Sequence, residues 1–216
     1  MAATVSATQS VAIGKDAMLV ATAGDNNVAI GFACMDASTT SISNVAIGSN
    51  AMGATTTGSS NVAIGKDAML VAVSSAQCVA IGATALDAML GVGMDNTTVG
   101  FNSLGGLTTG IKNTALGSGA GSALTVGTGN VLIGINAAGS AVGAVDQIVL
   151  SAGTGVTGIA NAAITLGNNT RAITCNYDTD QTWDAPSDLR MKNVYGESTV
   201  GLAFLRRLRP IEYSLR

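Results

Sequence analysis

A glycine closes a short apolar run at Gly14, Gly31, Gly48, Gly65, Gly82, Gly100, Gly117 and Gly134, and Ser151 and Gly167 continue the series. The successive steps are 17, 17, 17, 17, 18, 17, 17, 17 and 16 residues. The eleven residues VAIGKDAMLVA at Val11–Ala21 return at Val62–Ala72, 51 positions later, which is three of these periods. A repeat this short cannot bury its own apolar face, so the units must stack on one another and share a core.

Reading down the columns shows what each unit is. Three positions ahead of the glycines stand Val11, Val28, Val45, Val62, Val79, Thr97, Thr114, Val131, Ile148 and Ile164. Directly before them come Ile13, Ile30, Ile47, Ile64, Ile81, Val99, Leu116, Ile133, Leu150 and Leu166. The two columns are two residues apart and therefore share one face of a strand, where β-branched side chains fit well. Between them lies a column that is mostly alanine, from Ala12, Ala29, Ala46, Ala63 and Ala80 to Ala115. Four residues past the glycine come Met18, Met35, Met52, Met69, Leu86 and Leu104, and a further column holds Thr22, Thr39, Thr56, Val73, Thr108, Thr125 and Val142. Each period thus predicts two short strands separated by turns rich in Gly, Ser, Asn and Asp. The expected fold is mostly β, a parallel β-solenoid (β-roll) of about ten 17-residue coils.

A helical alternative is weaker. Ala, Met and Leu in KDAMLVATAGD favour helix, but the recurrent glycines and the two-residue spacing of β-branched columns oppose any long one. Asn27, Asn44, Asn61, Asn96, Asn113 and Asn130, each just before a strand, are expected either to stack as an amide ladder or to cap turns. With Val and Ile assigned to the inside of the coil, the alanines point outward. Such a flat, uncharged strip suits close approach of another chain, and a homo-oligomer packed along it is expected, the alternative being a monomeric solenoid with the strip exposed.

Composition narrows the function. The chain is 47% hydrophobic but only 3% aromatic, so its core is built from small side chains that each bury little area, at roughly 25 cal/mol per Å². The net charge of −3 leaves no basic surface for a phosphate backbone, and nucleic acid is not expected as a partner. No apolar run approaches the ~20 residues of a membrane helix. The opening MAATVSATQS lacks a basic stretch followed by an apolar one, so no secretory signal is expected. Cys34, Cys78 and Cys175 stand at unrelated positions and predict neither a disulfide framework nor a metal site, only buried packing. Residues 1–170 contain three Lys, seven Asp and no Glu, which argues against the paired carboxylates of a polysaccharide-cleaving enzyme. The threonine column is broken by Val73, Leu90 and Val142, so a continuous ice-binding ladder is not expected. No cofactor is implied.

The segment NVAIGSNAMGATTTGSSNVAIG (Asn44–Gly65) resembles the NTAIG-type repeats of bacteriophage tail-fibre proteins. It is similar also to the head repeats of trimeric autotransporter adhesins, and the resemblance runs from about Ser10 to Gly167. It implies a left-handed parallel β-roll assembled as a trimer.

Seven Lys or Arg and six Asp or Glu crowd into residues 171–216, which marks a boundary near Arg171. Val200, Phe204, Leu205 and Leu208 fall at helical spacing, with Arg206 and Arg207 in the last turn and Pro210 as a stop, and predict a helix over 197–208. Ser187, Asp188, Arg190, Lys192 and Val194 match the Ser-Asp-x-Arg-x-Lys motif of the endosialidase-type intramolecular chaperone domain, and Leu208, Pro210, Ile211 and Tyr213 fit its helix exit. That resemblance implies a domain that promotes trimerisation of the fibre ahead of it and then cuts the chain at the serine. Ser187 would be the nucleophile and Lys192 the base, a pairing that functions where burial lowers the lysine pKa. With no histidine in the chain, a Ser-His-Asp arrangement is excluded.

The expected organisation is a lead-in over 1–9, a β-roll over 10–170, a linker over 171–186 and the beginning of a truncated chaperone domain over 187–216. The expected role is a structural and receptor-binding component of a phage tail fibre or similar virion appendage. Its expected partners are other copies of itself, a host surface receptor or glycan, and other tail proteins. Any catalysis is limited to single-turnover self-cleavage. The alternative is the head of a bacterial trimeric surface adhesin.

Overall fold

The computed structural model describes residues 9–20, 22–91, 94–168 and 170–176. The proposed dyad Ser187 and Lys192, and the helix expected over 197–208, lie outside the described residues.

The described chain is a parallel β-solenoid, as the 17-residue period predicts. Each coil contributes one short strand: β1 (Val11–Ile13), β2 (Val28–Ile30), β3 (Val45–Ile47), β4 (Val62–Ile64), β5 (Val79–Ile81), β6 (Thr97–Val99), β7 (Thr114–Leu116), β8 (Val131–Ile133), β9 (Ile148–Ser151) and β10 (Ala163–Asn168). They lie side by side in chain order in one sheet. Like pairs with like: Val28 stands opposite Val45, Ala29 opposite Ala46 and Ile30 opposite Ile47. The second strand expected in each period is reduced to isolated bridges such as Ile42–Ser59 and Ser59–Ala76. The chain then reverses. β11 (Arg171–Asn176) pairs antiparallel with β10, where the charge shift predicted a linker. Asn168 Oδ1 shapes that reversal by accepting from the main-chain N–H of Thr170 at 3.0 Å and of Arg171 at 2.9 Å, as an Asx turn does.

The orientation of the strands corrects the sequence expectation. The alanines are inside: Ala29, Ala46, Ala63 and Ala80 are completely buried. The flanking Val and Ile columns face outward, with Ile13, Ile47, Ile81 and Leu116 exposed. The reason is volume. Met18, Met35, Met52, Met69, Leu86 and Leu104 reach into the coil from the opposite wall and are buried. Only a methyl group remains to be accommodated on the strand side, because interiors pack to crystal-like density. The interface inferred along an exposed alanine strip therefore does not exist; the alanines are core.

Two departures from the repeat occur as compensating sets. Gly121 occupies the Met/Leu column, and a Cβ there would lie 2.9 Å from Leu132 Cδ1, so Leu132 in the alanine column fills the space that Gly121 vacates. Thr98 replaces an inward alanine, and its buried hydroxyl hydrogen-bonds the hydroxyl of Ser103, itself on a column otherwise held by Ala51, Ala68 and Ala85. Each exchange preserves filling or pairs a buried polar group.

Main-chain hydrogen bonds between coils run all the way around the turn. Gly48 N–H donates to the Ile30 carbonyl at 2.8 Å, Met52 N–H to Ala68 at 3.0 Å and Val45 N–H to Asn61 at 2.8 Å. The asparagines add a second ladder within the core, serving as both stack and turn cap. Asn44 Nδ2 donates to Asn27 Oδ1 at 3.1 Å and to the Gly58 carbonyl at 2.9 Å, while the Asn44 main-chain N–H also donates to Asn27 Oδ1. The same set recurs from Asn44 to Asn61 and from Asn96 through Asn113 to Asn130. Ser10 begins the ladder by accepting from Asn27 N–H, and Gln147 ends it by donating its N–H to Asn130 Oδ1. Cys78 takes one rung with a different atom: its N–H uses Asn61 Oδ1, and its sulfur, in place of an amide oxygen, bonds the main chain and side chain of Asn96.

Two variants test this account. Gly65 has φ of +137°, and a Cβ there would sit 2.5 Å from the Gly82 carbonyl oxygen; Gly65→Ala should lower stability by about 3 kcal/mol in denaturant unfolding. Cys78→Asn exchanges that weakly accepting sulfur for an amide oxygen and should raise stability by about 1 kcal/mol, seen as a higher denaturant midpoint at unchanged slope.

Candidate functional site

The repeat presents three surfaces. The first is the outward Val/Ile strip of the sheet. Its two columns run through ten parallel strands and contain no charged residue. At the strand spacing it is on the order of 40 Å long and about 10 Å wide. Phe32, Phe101 and Ile135 follow the strip's glycines and are at least half exposed. Lys15 Nζ lies 5.5 Å from the Phe32 ring centroid, a cation–π distance. Both phenylalanines, like Ile135, stand in a position the repeat otherwise fills with Lys, Ser, Ala or Asn. Their departure from the column is the signal that sequence reading passed over.

The second surface is the turn after the glycines. Asp16, Asn50, Asp67 and Asn102 hold left-handed backbone, with φ between +51° and +59°, a conformation Asp and Asn tolerate better than most residues. The Lys15–Asp16 and Lys66–Asp67 pairs close at 3.4 and 2.8 Å, and Asn50 Nδ2 donates to Asp67 at 3.0 Å. Hydrogen bonds from Lys66 and then Asn50 hold the Asp67 carboxyl below its usual range, whereas burial raises that of Asp87. These exposed pairs contribute little to stability and set the turn rather than a reaction. Among the described residues no cluster of His, Cys, Asp or Glu has the geometry of a metal site.

The third surface carries the threonines. Their hydroxyls are not presented to solvent as a free array. Thr22 and Thr39 Oγ1 each donate at 3.0 Å to the carbonyl of the threonine one coil on, and Thr56 Oγ1 donates to the Val73 carbonyl at 3.3 Å. The column reinforces the stack. Near the final hairpin a shallow depression of about 330 Å³ is lined by Gly155, Val156, Thr157, Asn168, Thr170, Arg171 and Ala172; Arg171 is its one charged group.

The three cysteines are free and buried. Burial, more than any neighbour, pushes the Cys34 thiol up to about 11 and raises that of Cys78. Among the described residues no helix is long and apolar enough to cross a membrane. The structure thus brings together no catalytic constellation in the described residues; Ser187 and Lys192 lie outside them. The extended feature it does present is the Val/Ile strip.

No protein-family model, curated protein or solved structure matches this chain.

The thiols supply a test of core integrity. A disulfide-exchange reagent at pH 8 should leave Cys34 and Cys78 unmodified in the folded protein and label them rapidly in denaturant. An unfolded thiol ionises near 9.0 while folded Cys34 holds its proton to about 11. The stability this group contributes is therefore complete below pH 9.0 and declines as pH rises toward 11.

Proposed function

We propose that this chain is a structural, receptor-binding component of a phage tail fibre or similar virion appendage, assembled as a homotrimer. The observation that carries the reading is the uncharged Val/Ile strip. Several hundred Å² of contiguous apolar surface is at the limit of what a monomer leaves bare and marks an association site. The assembly face is the outward Val/Ile columns, not the alanines. The resemblance of the NVAIG repeats to tail-fibre and trimeric adhesin-head repeats supports both the trimer and an adhesive role, with a host receptor or glycan and other tail proteins as partners. A solenoid held by ladders along its whole length supplies the stiffness that a virion appendage requires.

The same reading assigns the segment beginning at Ser187 to an intramolecular chaperone, with Ser187 as the cleavage point and Lys192 as the base. The serine hydroxyl would attack the carbonyl of the peptide bond before it and pass its proton to a neutral lysine. The lysine would return that proton to the departing amine as the C–N bond breaks, and water would then hydrolyse the ester.

Light scattering on the purified chain should give a trimer mass. Ile47→Asp combined with Ile81→Asp places charges on the strip and should yield monomers that keep the parent β-sheet circular dichroism. A wild-type monomer overturns the trimer. Mass spectrometry on the full-length protein should show a cut at Ser187 that Ser187→Ala and Lys192→Ala both abolish. Identical masses in all three overturn the dyad.

A further inference from the structure

We infer that Thr97 and Thr114 fix the axial register in which copies of this chain pack along the Val/Ile strip. The inference rests on the trimer reading above and goes beyond it, because an apolar strip by itself does not specify register. Val11, Val28, Val45, Val62 and Val79 stand one above another on five successive coils, beside Ile13, Ile30, Ile47, Ile64 and Ile81. Two such strips slid past each other by one coil, about 4.8 Å, meet nearly the same surface as before. Only the overlap at the ends is lost.

Two features break that degeneracy. In β6 and β7 the Val column becomes Thr97 and Thr114, directly paired in the sheet. Both are exposed, and among the described residues neither hydroxyl has a hydrogen-bond partner. Beyond them the column returns to Val131 and Ile148. Apolar exchanges such as Val99, Leu116 and Leu150 leave the strip's chemistry unchanged, whereas these threonines make a two-coil polar window in columns otherwise apolar.

The occupant of the strip is a second copy of this chain, running parallel. A partner that follows the strip through ten strands must repeat at the same interval, and this chain does so by construction of its own coils. In register, threonine meets threonine, and each hydroxyl serves as both donor and acceptor. A slip of one coil sets a threonine against Val79 or Val131, burying a hydroxyl without a partner. One polar position in an apolar seam specifies coiled-coil register in the same manner.

The experiment places a spin label at the exposed Ala123 through Ala123→Cys in the full chain, the native cysteines being buried, and reads distances between copies by pulsed electron resonance. The parent should show one narrow distance, since in-register labels of a trimer form an equilateral triangle. Thr97→Val with Thr114→Val should retain the trimer mass and broaden or split the distribution. Thr97→Ser with Thr114→Ser, which keeps the hydroxyls, should restore the single distance. A valine variant that stays trimeric with the parent's single distance overturns the register role alone. A parent chain that is monomeric by light scattering overturns the trimer reading and this inference with it.

Discussion

Everything in this solenoid depends on coils lying one strand spacing apart around the whole turn. The glycine column shows how little room that leaves. A Cβ at Gly31, Gly48 or Gly82 would stand 2.3 to 2.4 Å from the carbonyl oxygen of the next glycine in the stack, and the backbone there, at φ of +137° to +144°, suits no other residue. Main-chain bonds supply the attraction that holds coils this close. Glycine removes the repulsion that would separate them.

That closeness has a strain cost, spread through the repeat. Met35, Met52, Met69, Leu86 and Leu104 all hold left-handed backbone, with φ between +50° and +54°, a conformation that costs about 1–2 kcal/mol for a residue with a Cβ. The residue before each ladder asparagine does the same, as in Asn26, Ser43, Ser60 and Lys112. The strain persists because burial of the methionines and leucines and the asparagine hydrogen bonds hold each coil in one shape. The stack is thus a compromise repeated many times, in which small losses in each turn are offset by contacts that only neighbouring coils supply. Interior coils have neighbours on both sides. Ala12 in the first strand is only partly buried while Ala29 in the second is completely so.

Among the described residues no metal-site cluster is assembled, and what the coils repeat is a surface pattern. The described residues carry few charges, and those that exist settle turns. The inward alanine column and the outward Val/Ile column leave one uncharged apolar face on the solenoid. Under the proposed trimer that face would carry lateral assembly, and identical coils would leave its register to the few positions where the repeat breaks.

The glycine spacing alone determined that the chain stacks in coils of 17 residues, since no other use of such a period buries the apolar columns. The pairing of Val11 with Val28, Ala12 with Ala29 and Ile13 with Ile30 follows from it directly. The asparagine ladder was legible for the same reason, because a buried amide recurring at the coil period has its own copy as nearest partner. The sense of the strand was not. A two-residue alternation states that Ala and Val/Ile face opposite ways but not which way is in. Hydrophobicity favoured Val and Ile inside, and the tertiary structure decided otherwise, because Met and Leu from the facing wall had already filled the lumen. The compensating pairs Gly121 with Leu132 and Thr98 with Ser103 were hidden likewise, since each is an irregularity until the two side chains are seen to meet. So too was β11, whose reversal depends on a local Asn168 turn rather than on the repeat. The period sets the stack; only packing within the coil sets its inside and outside.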